Sequence, residues 1–265
     1  MSASTDVDAG AEGRTRARSK YQELRRSWRR RNRRVFWTVG AGFAIVAVAA
    51  NLLAQHLHRW DWGAGVLTGV LITVITALYQ EPPPHIQNWE VGAWGEEATA
   101  KRLRHLGSQW RVLHDVEAGR RGNFDHIVIG PPGVFLLDTK KWQGEVSVDG
   151  QVATLRRLED PDLSCVFDGL PRRMRGLAAE LQDRYREAGL RAGWVTPVVV
   201  LWARFPQQQV GDDRLMYVHG EHITEWLGSL PTRLRADQVD KLFSALNETE
   251  ASRLPRWLRL RPAAQ

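Results

Sequence analysis

The stretch NFDHIVIGPPGVFLLDTKKWQG, residues 123–144, decides the fold of this chain. It holds two strand-like apolar runs joined by the turn sequence GPPG at residues 130–133. A hairpin closed by this turn places Asp125 opposite Asp138 on the neighbouring strand. Side chains alternate between the two faces of a strand, so Lys140 falls on the same face as both acids. The sequence therefore predicts two carboxylates and one ammonium in a single patch.

This patch has two interpretations. Directly opposite residues have Cβ atoms about 5 Å apart, so the carboxylates of Asp125 and Asp138 repel each other unless something compensates their charge. A hard divalent cation, Mg²⁺ or Mn²⁺, would compensate it, because such ions prefer carboxylate oxygens. The simpler interpretation is that Asp138 and Lys140 form a salt bridge at a strand end and that Asp125 caps a turn.

The predicted hairpin is apolar on both faces, which is typical of a sheet that is covered on both sides. The residues on the face of the acids are Ile127, Ile129, Val134 and Leu136. The residues expected on the other face are Phe124, Val128, Phe135 and Leu137. His126 also falls on that second face and is interpreted as packing or support for the site, while His114 is interpreted as a strand-end residue.

The charge of the chain is concentrated at its beginning. Residues 1–34 contain eleven Lys or Arg and four acids, a difference of +7 that equals the formal net charge of the 265-residue chain. The remaining residues balance at zero, so the high pI is no evidence for a basic nucleic-acid clamp in the folded domain. Residues 1–34 are expected to be a basic, largely disordered cytoplasmic tail that contacts anionic lipid headgroups. The disorder is expected over at least the first dozen residues, and residues 19–34 could form a helix close to the membrane. Direct binding of nucleic acid by this tail is the alternative.

Two uncharged runs follow the tail. Residues 35–54 and 63–79 are predicted to form two transmembrane helices within residues 35–80, joined by a short outside loop. Because the arginine-rich flank should stay in the cytoplasm, the main domain is expected there, at the inner membrane. If the second run were only a buried helix, the domain would lie outside instead. The sequence EPPPH at 81–85 is expected to break any helix and to serve as a stiff linker.

The pattern from residue 86 onward predicts an α/β domain. A helix is expected at 89–106 and another from Pro171 to about residue 188. The predicted strands lie at residues 110–114, 123–129, 134–139, 145–148, 151–155 and 195–203. Asp149-Gly150 indicates a tight hairpin between two of them. Residues 206–265 are expected to be a helical extension. The single cysteine, Cys165, excludes an internal disulfide.

The first helix of this domain carries a candidate third acid, Glu96. Ala93, Glu96, Ala100 and Leu103 recur at steps of three and four residues. Glu96 therefore shares the stripe expected to face the sheet. An inward Glu among apolar residues costs several kcal/mol unless it is paired or bound to a metal. This makes Glu96 a candidate for the same site.

Four motifs in order resemble the NERD domain, the nuclease-related domain that is similar to PD-(D/E)XK nucleases. They are GAWGE at 92–96, FDHIVIG at 124–130, GVFLLDTK at 133–140 and Gly144. The resemblance covers about residues 86–205. It implies an αβββαβ restriction-endonuclease-like core and metal-dependent cleavage of phosphodiester bonds in DNA or RNA.

The resemblance also implies roles for individual residues. Glu96 matches the helix acid, Asp125 the first strand acid, Asp138 the acid of the (D/E)xK element, and Lys140 its lysine. The three acids would hold the metal, with Glu96 binding directly or through water, and Lys140 would orient the attacking water or stabilise the transition state.

Two positions depart from the family pattern. The (D/E)xK acid is more often Glu, so Asp138 has a shorter reach. The helix after Pro171 carries Arg172, Arg173 and Arg175 where the family often has Gln, and these arginines are candidates for phosphate contact. Two other functions stay open: a non-catalytic module that binds nucleic acid or nucleotide at the membrane, and a membrane interaction protein.

Overall fold

A computed structural model of the chain describes residues 16–57, 82–118, 123–158, 160 and 163–253, together with 65, 68–70 and 72–74. The first 15 residues of the predicted tail and most of the second apolar run lie outside the described residues. Residues 16–91 form one compact unit, and the residues from 92 onward form another.

The helices are α1 (Arg16–Leu57), α2 (Pro84–Leu103), α3 (Gly169–Glu187), α4 (Ile223–Ser229) and α5 (Ala236–Arg253). The strands are β1 (Arg111–Glu117), β2 (Asn123–Gly130), β3 (Gly133–Asp149), β4 (Val152–Arg156), β5 (Ser164–Phe167), β6 (Val195–Arg204), β7 (Gln209–Asp212) and β8 (Leu215–His219).

The strands form one mixed sheet in the order β1-β2-β3-β6-β8-β7, and β4 pairs with β3 and with β5. The β3–β6 and β6–β8 pairs are parallel, whereas the other pairs are antiparallel. The predicted α/β class is therefore confirmed, and a mixed sheet flanked by helices fits a nuclease-like core.

The central hairpin has the predicted register. Ile127 pairs with Leu136 and Ile129 pairs with Val134, with residues 130–133 as the connection. Gly130 is required here, because a Cβ atom on it would lie 2.1 Å from the ring of Trp110. The turn residues and the close approach of Trp110 thus fix the alignment that positions the two acids.

Strand β3 joins two strands that the sequence predicted separately. Its pairing with β6 shifts between Lys141 and Glu145, and Gly144 lies at this point with a φ of 154°. A side chain at Gly144 would strain that backbone, and its Cβ would lie 2.3 Å from the carbonyl oxygen of Arg156. The glycine lets one strand continue through the irregularity. The hairpin that follows, with Asp149 opposite Val152, is as predicted.

Each face of the sheet carries its own apolar core. We call the face that holds Ile127, Ile129, Val134 and Leu136 the site face; it is covered by apolar residues of α3 and α5. The opposite face holds Val128, Phe135 and Leu137 and is covered by residues of α2 and α4. Coverage of both faces explains why the hairpin strands are apolar on both sides.

Phe124 is an exception to the predicted alternation. It packs in the core of the site face, together with Val116, and not beside Val128. The cause lies at Asp115 in β1, whose φ of 54° is in the left-handed region. The β1–β2 ladder skips one pair there before it resumes at Val116 and Phe124, so the strands are locally irregular and the strict two-residue period is lost.

The predicted transmembrane hairpin and the inner-membrane localisation are wrong. Among the residues that the structure describes, no helix combines the length and the apolar character needed to cross a membrane. Residues 35–54 are the continuation of α1, whose earlier part is arginine-rich, and eight of these 20 residues are Ala or Gly.

Residues 16–34 belong to α1, which includes the helix considered at 19–34, whereas the disorder expected of the first dozen residues falls outside the described part of the chain. Two further expectations differ from the structure. The helix expected at 89–106 begins earlier, at Pro84 within the sequence EPPPH; proline fits the first turn, where its missing N–H has no helical partner. Residues 206–265 are not only helical, since β7 and β8 extend the sheet beside β6.

Candidate active site

Asp125, Asp138 and Lys140 come together at the end of the β2–β3 hairpin. The backbone N–H of Thr139 donates a hydrogen bond to Oδ2 of Asp125, with an N–O distance of 2.8 Å. The Lys140 ammonium forms an ion pair with Oδ2 of Asp138. The three groups predicted to share a patch thus lie at alternate positions of β3, residues 138 and 140, and on the strand beside it.

The ion pair is mostly buried but remains open to solvent. The side chain of Asp138 is 9% exposed and that of Lys140 is 25% exposed. Removing two charges from water carries a desolvation penalty that their attraction repays only with good geometry. A site with this cost on an otherwise apolar sheet face is more typical of function than of stabilisation.

The pKa of Asp125 reports the crowding of the two acids. Burial first, and the Asp138 carboxylate second, raise the pKa of Asp125 to about 7. The Lys140 ammonium and the Thr139 N–H act in the opposite direction but do not cancel the increase. Repulsion between two carboxylates at one site is a recognised cause of such a shift.

The ammonium of Lys140 stays charged. Burial lowers its pKa, but the Asp138 and Asp125 carboxylates together outweigh burial, and the net pKa is raised. Lys140 is therefore a fixed positive charge between two acids. Its ammonium therefore acts as a positive point charge and not as a group that gives up its proton.

The two carboxylates fit a divalent cation. A cation between them would relieve the repulsion that raises the pKa of Asp125, and Mg²⁺ commonly takes one or two carboxylates and completes its shell with water and phosphate oxygens. Within the described part of the chain, no three His, Cys, Asp or Glu side chains lie together as a ligand set. The pair Asp125 and Asp138 is thus the donor set that the structure assembles.

Glu96 is carried by helix α2. Helix α2 packs on the Thr139 face of β3, because a Cβ on Gly95 would lie 3.2 Å from Cγ2 of Thr139. By strand alternation this face is opposite to that of Lys140. The most buried positions of the stripe are Ala93, Thr99 and Leu103, while Glu96 and Ala100 are only partly buried. The role of Glu96 as a metal ligand stays a prediction.

Sequence reasoning missed the polar contact that seats α2. The hydroxyl of Thr99 accepts a hydrogen bond from Nε1 of Trp202 at 2.8 Å and is hydrogen-bonded to the hydroxyl of Thr139 at 3.1 Å. Thr99 is fully buried. The sequence carries no signal for this network, since its members are up to 103 residues apart.

The three arginines of α3 have different surroundings. Arg173 is exposed and close enough to Lys140 that its guanidinium lowers the pKa of that ammonium. Arg175 instead donates a hydrogen bond to Gln151, away from the acids. Arg172 is exposed. Of the three predicted phosphate contacts, Arg173 is the one whose charge reaches the site.

His114 and His126 form a pair. Their Nδ1 atoms are 2.7 Å apart, and their rings meet edge to face. Burial first, then the charge of His114, lowers the pKa of His126 to about 3, and burial also lowers the pKa of His114. Both rings are therefore neutral near pH 7. His114 lies in the middle of β1 and not at a strand end as expected.

Comparison with known proteins agrees with the class of domain that the fold indicates. Residues 91–202 match the family model of NERD, described as the nuclease-related domain, which supports the domain predicted from the motifs. Glu96, Asp125, Asp138 and Lys140 all fall inside the matched segment.

The chain is also similar to an uncharacterized protein of Bacillus anthracis. The two are 35% identical over 80 residues, which cover 28% of this chain and 37% of the relative. The chain thus spans little more than a third of the length of that relative. No solved structure matches the chain significantly.

Proposed function

We propose that this protein is a metal-dependent nuclease that hydrolyses phosphodiester bonds of DNA or RNA at Asp125, Asp138 and Lys140. The observation that carries the proposal is the arrangement of two crowded carboxylates and a buried ammonium on one face of the β2–β3 hairpin. Its support is chemical: an acid with a raised pKa, here Asp125, beside a fixed cation is typical of catalytic sites. The match of residues 91–202 to the nuclease-related domain adds to it.

The acids of the site are suited to hold Mg²⁺ or Mn²⁺. Asp125 and Asp138 would bind the ion through carboxylate oxygens, and Glu96 would add a direct or water-mediated ligand. Such an ion, when bound, lowers the pKa of a water molecule and neutralises charge on a phosphate. The pKa of about 7 at Asp125 means that this acid must lose its proton before it can bind the ion, so loading is favoured above pH 7.

Lys140 has a different role. Its ammonium is held by Asp138 and stays protonated, so it cannot act as the general base. It can stabilise negative charge that develops on the phosphate in the transition state, or orient the attacking water by a hydrogen bond. Arg173, whose charge reaches Lys140, would bind a phosphate beside the site.

The test compares two neighbouring lysines. The full-length chain is incubated with labelled single- and double-stranded DNA and RNA in Mg²⁺, Mn²⁺ or chelator. Lys140→Ala is expected to lose metal-dependent cleavage. Lys141→Ala is the matched control, because the Lys141 ammonium lies 4.4 Å from the ring centroid of Trp94, on the opposite face of the strand; it should retain cleavage.

Two results would contradict the proposal. One is cleavage by Lys140→Ala at the wild-type rate. The other is the absence of cleavage by a folded wild-type chain with every substrate and metal. The second result would favour a non-catalytic nucleic-acid-binding module. This alternative is supported by the small number of metal ligands, since only two carboxylates come together among the described residues.

A further inference from the structure

Helix α1 carries a row of exposed arginines that the nuclease site does not use. Arg26, Arg30 and Arg33 are exposed, and their spacing of four and three residues places them on one side of the helix. We call these three residues the arginine stripe. At a rise of about 1.5 Å per residue the stripe is about 10 Å long. Arg31 and Arg34, also exposed, flank it.

The arginines of the stripe have no acidic partner among the described residues. Arg18, earlier in the same helix, pairs with Glu90 at 3.9 Å, and Lys20 pairs with Glu23 at 3.1 Å. After Glu23 the helix contains no acid at all. Like charges four residues apart repel each other. A helix that keeps such a row without acids is typical of a surface that binds a polyanion.

The charge balance of the chain supports this interpretation. Residues 1–34 carry the whole net charge of +7, and the remainder of the chain balances at zero. Residues 91–202, which match the nuclease-related domain, contain 16 Lys or Arg and 15 acids. Their net charge of +1 is too small to attract a polyanion strongly over a distance. The described part of α1 supplies ten of the eleven cations of residues 1–34.

The type of cation points to phosphate. Nine of those ten side chains are Arg and one is Lys. The planar guanidinium matches phosphate oxygens with two parallel N–H donors, whereas the ammonium of Lys acts as a point charge. Contacts of this kind position nucleic acid by its backbone and do not read its sequence.

We propose that the arginine stripe binds the phosphate backbone of nucleic acid without sequence preference and so supplies the affinity that the nearly neutral nuclease-related domain lacks. The choice of nucleic acid, and not of another phosphate-bearing surface, rests on the proposed function. The binding itself needs neither metal nor cleavage. It can therefore be tested apart from catalysis.

The experiment measures binding of the full-length chain to fluorescein-labelled 30-mer DNA and RNA, single- and double-stranded, in chelator and at several salt concentrations. The stripe variant carries Arg26→Gln, Arg30→Gln and Arg33→Gln. The control carries Arg157→Gln, Arg191→Gln and Arg214→Gln, three exposed arginines of the other unit. Both variants lose the same charge. Circular dichroism checks that each keeps its helix content.

The expected result is a weaker dependence of binding on salt in the stripe variant. Each lost phosphate contact reduces the slope of log K against log salt by about 0.9 on duplex DNA and about 0.7 on single strands, so three contacts reduce it by about two to three. The control should keep nearly the wild-type slope. Equal slopes in the two variants would overturn the proposal.

A parallel measurement uses vesicles of phosphatidylcholine with phosphatidylserine. If the stripe substitutions abolish vesicle binding and leave nucleic-acid binding unchanged, the stripe binds lipid headgroups and the proposal is wrong. If wild type binds no nucleic acid at low salt, it is also wrong. Cleavage that is lost in Lys140→Ala while binding persists leaves the stripe proposal intact, so failure of catalysis and failure of binding are distinguished.

Discussion

The two faces of β3 differ in what surrounds their polar side chains. On the site face, Asp138 and Lys140 form a mostly buried ion pair beside Asp125, whose pKa is raised. On the opposite face, Thr139 is hydrogen-bonded to Thr99 and Lys141 lies over Trp94. Residues one position apart in β3 thus have different surroundings: one set lies beside crowded charges, and the other makes hydrogen-bonding and packing contacts. The alternation of side chains along the strand separates the candidate site from the contacts that hold α2.

The largest expected effect is on cleavage. Asp138→Asn should reduce the rate at least about 100-fold, a loss typical of removing one electrostatic group from an active site. Thr139→Val should stay within about twofold of wild type, because it removes a hydroxyl from the other face and keeps the N–H that binds Asp125. Rates are measured with the best substrate from the cleavage screen. Similar losses of cleavage in both variants would contradict the assignment of catalysis to the site face alone.

The next effect is on stability. Asp138→Ala leaves the Lys140 ammonium largely buried without its carboxylate, and breaking a buried pair costs about 3–5 kcal/mol. Because the Lys140 side chain is 25% exposed, we expect a loss near the lower end, measured by urea denaturation. The double variant Asp138→Ala with Lys140→Met should regain most of it. If the double variant is no more stable than Asp138→Ala, the unpaired Lys140 ammonium is not the cause of the lost stability.

A smaller loss is expected on the opposite face. Thr99→Val removes the acceptor of the Trp202 Nε1 hydrogen bond, and a buried donor without a partner costs about 1–3 kcal/mol. Denaturation should show this loss, while cleavage per folded molecule stays at the wild-type level. A selective loss of cleavage would instead show that the packing of α2 on the sheet affects catalysis. It would support Glu96, which α2 carries, as a member of the site.

The last effect, the smallest when counted per pH unit, is on the pH dependence of stability in chelator. The pKa of Asp125 is raised in the folded state, so between about pH 4 and 7 the folded chain binds more protons at this group than the unfolded chain does. The contribution of Asp125 is therefore present at low pH and is lost as pH rises towards 7, by at most about 1.4 kcal/mol per pH unit. Asp125→Asn should remove this slope.

Divalent metal should act in the opposite sense on the same group. It binds the deprotonated acid, so its stabilising effect should grow as pH rises through about 7. Thermal unfolding with and without Mg²⁺ at several pH values measures this. A pH-independent effect of metal in wild type would show that Asp125 is not the group that releases the proton.

Errors of the sequence interpretation came from neighbours that are distant in the chain. The alternation rule assigned seven of the eight apolar hairpin residues to the correct face and failed at Phe124, because the left-handed backbone of Asp115 lies on another strand. The helical stripe of α2 is centred on Thr99 and not on Ala100, because Thr99 finds its partners on β3 and β6. The membrane prediction treated residues 35–54 as a separate segment, whereas the structure makes them part of one 42-residue helix with the arginine-rich residues before them.

The sequence by itself determined the hairpin register and the common face of Asp125, Asp138 and Lys140. These are local consequences of turn residues and of the two-residue period of a strand. Only the tertiary structure decided how deeply the acids are buried, how far the pKa of Asp125 rises, and that Arg173 reaches Lys140. Such properties depend on solvent exclusion and on charges brought together by distant segments, which no local pattern records.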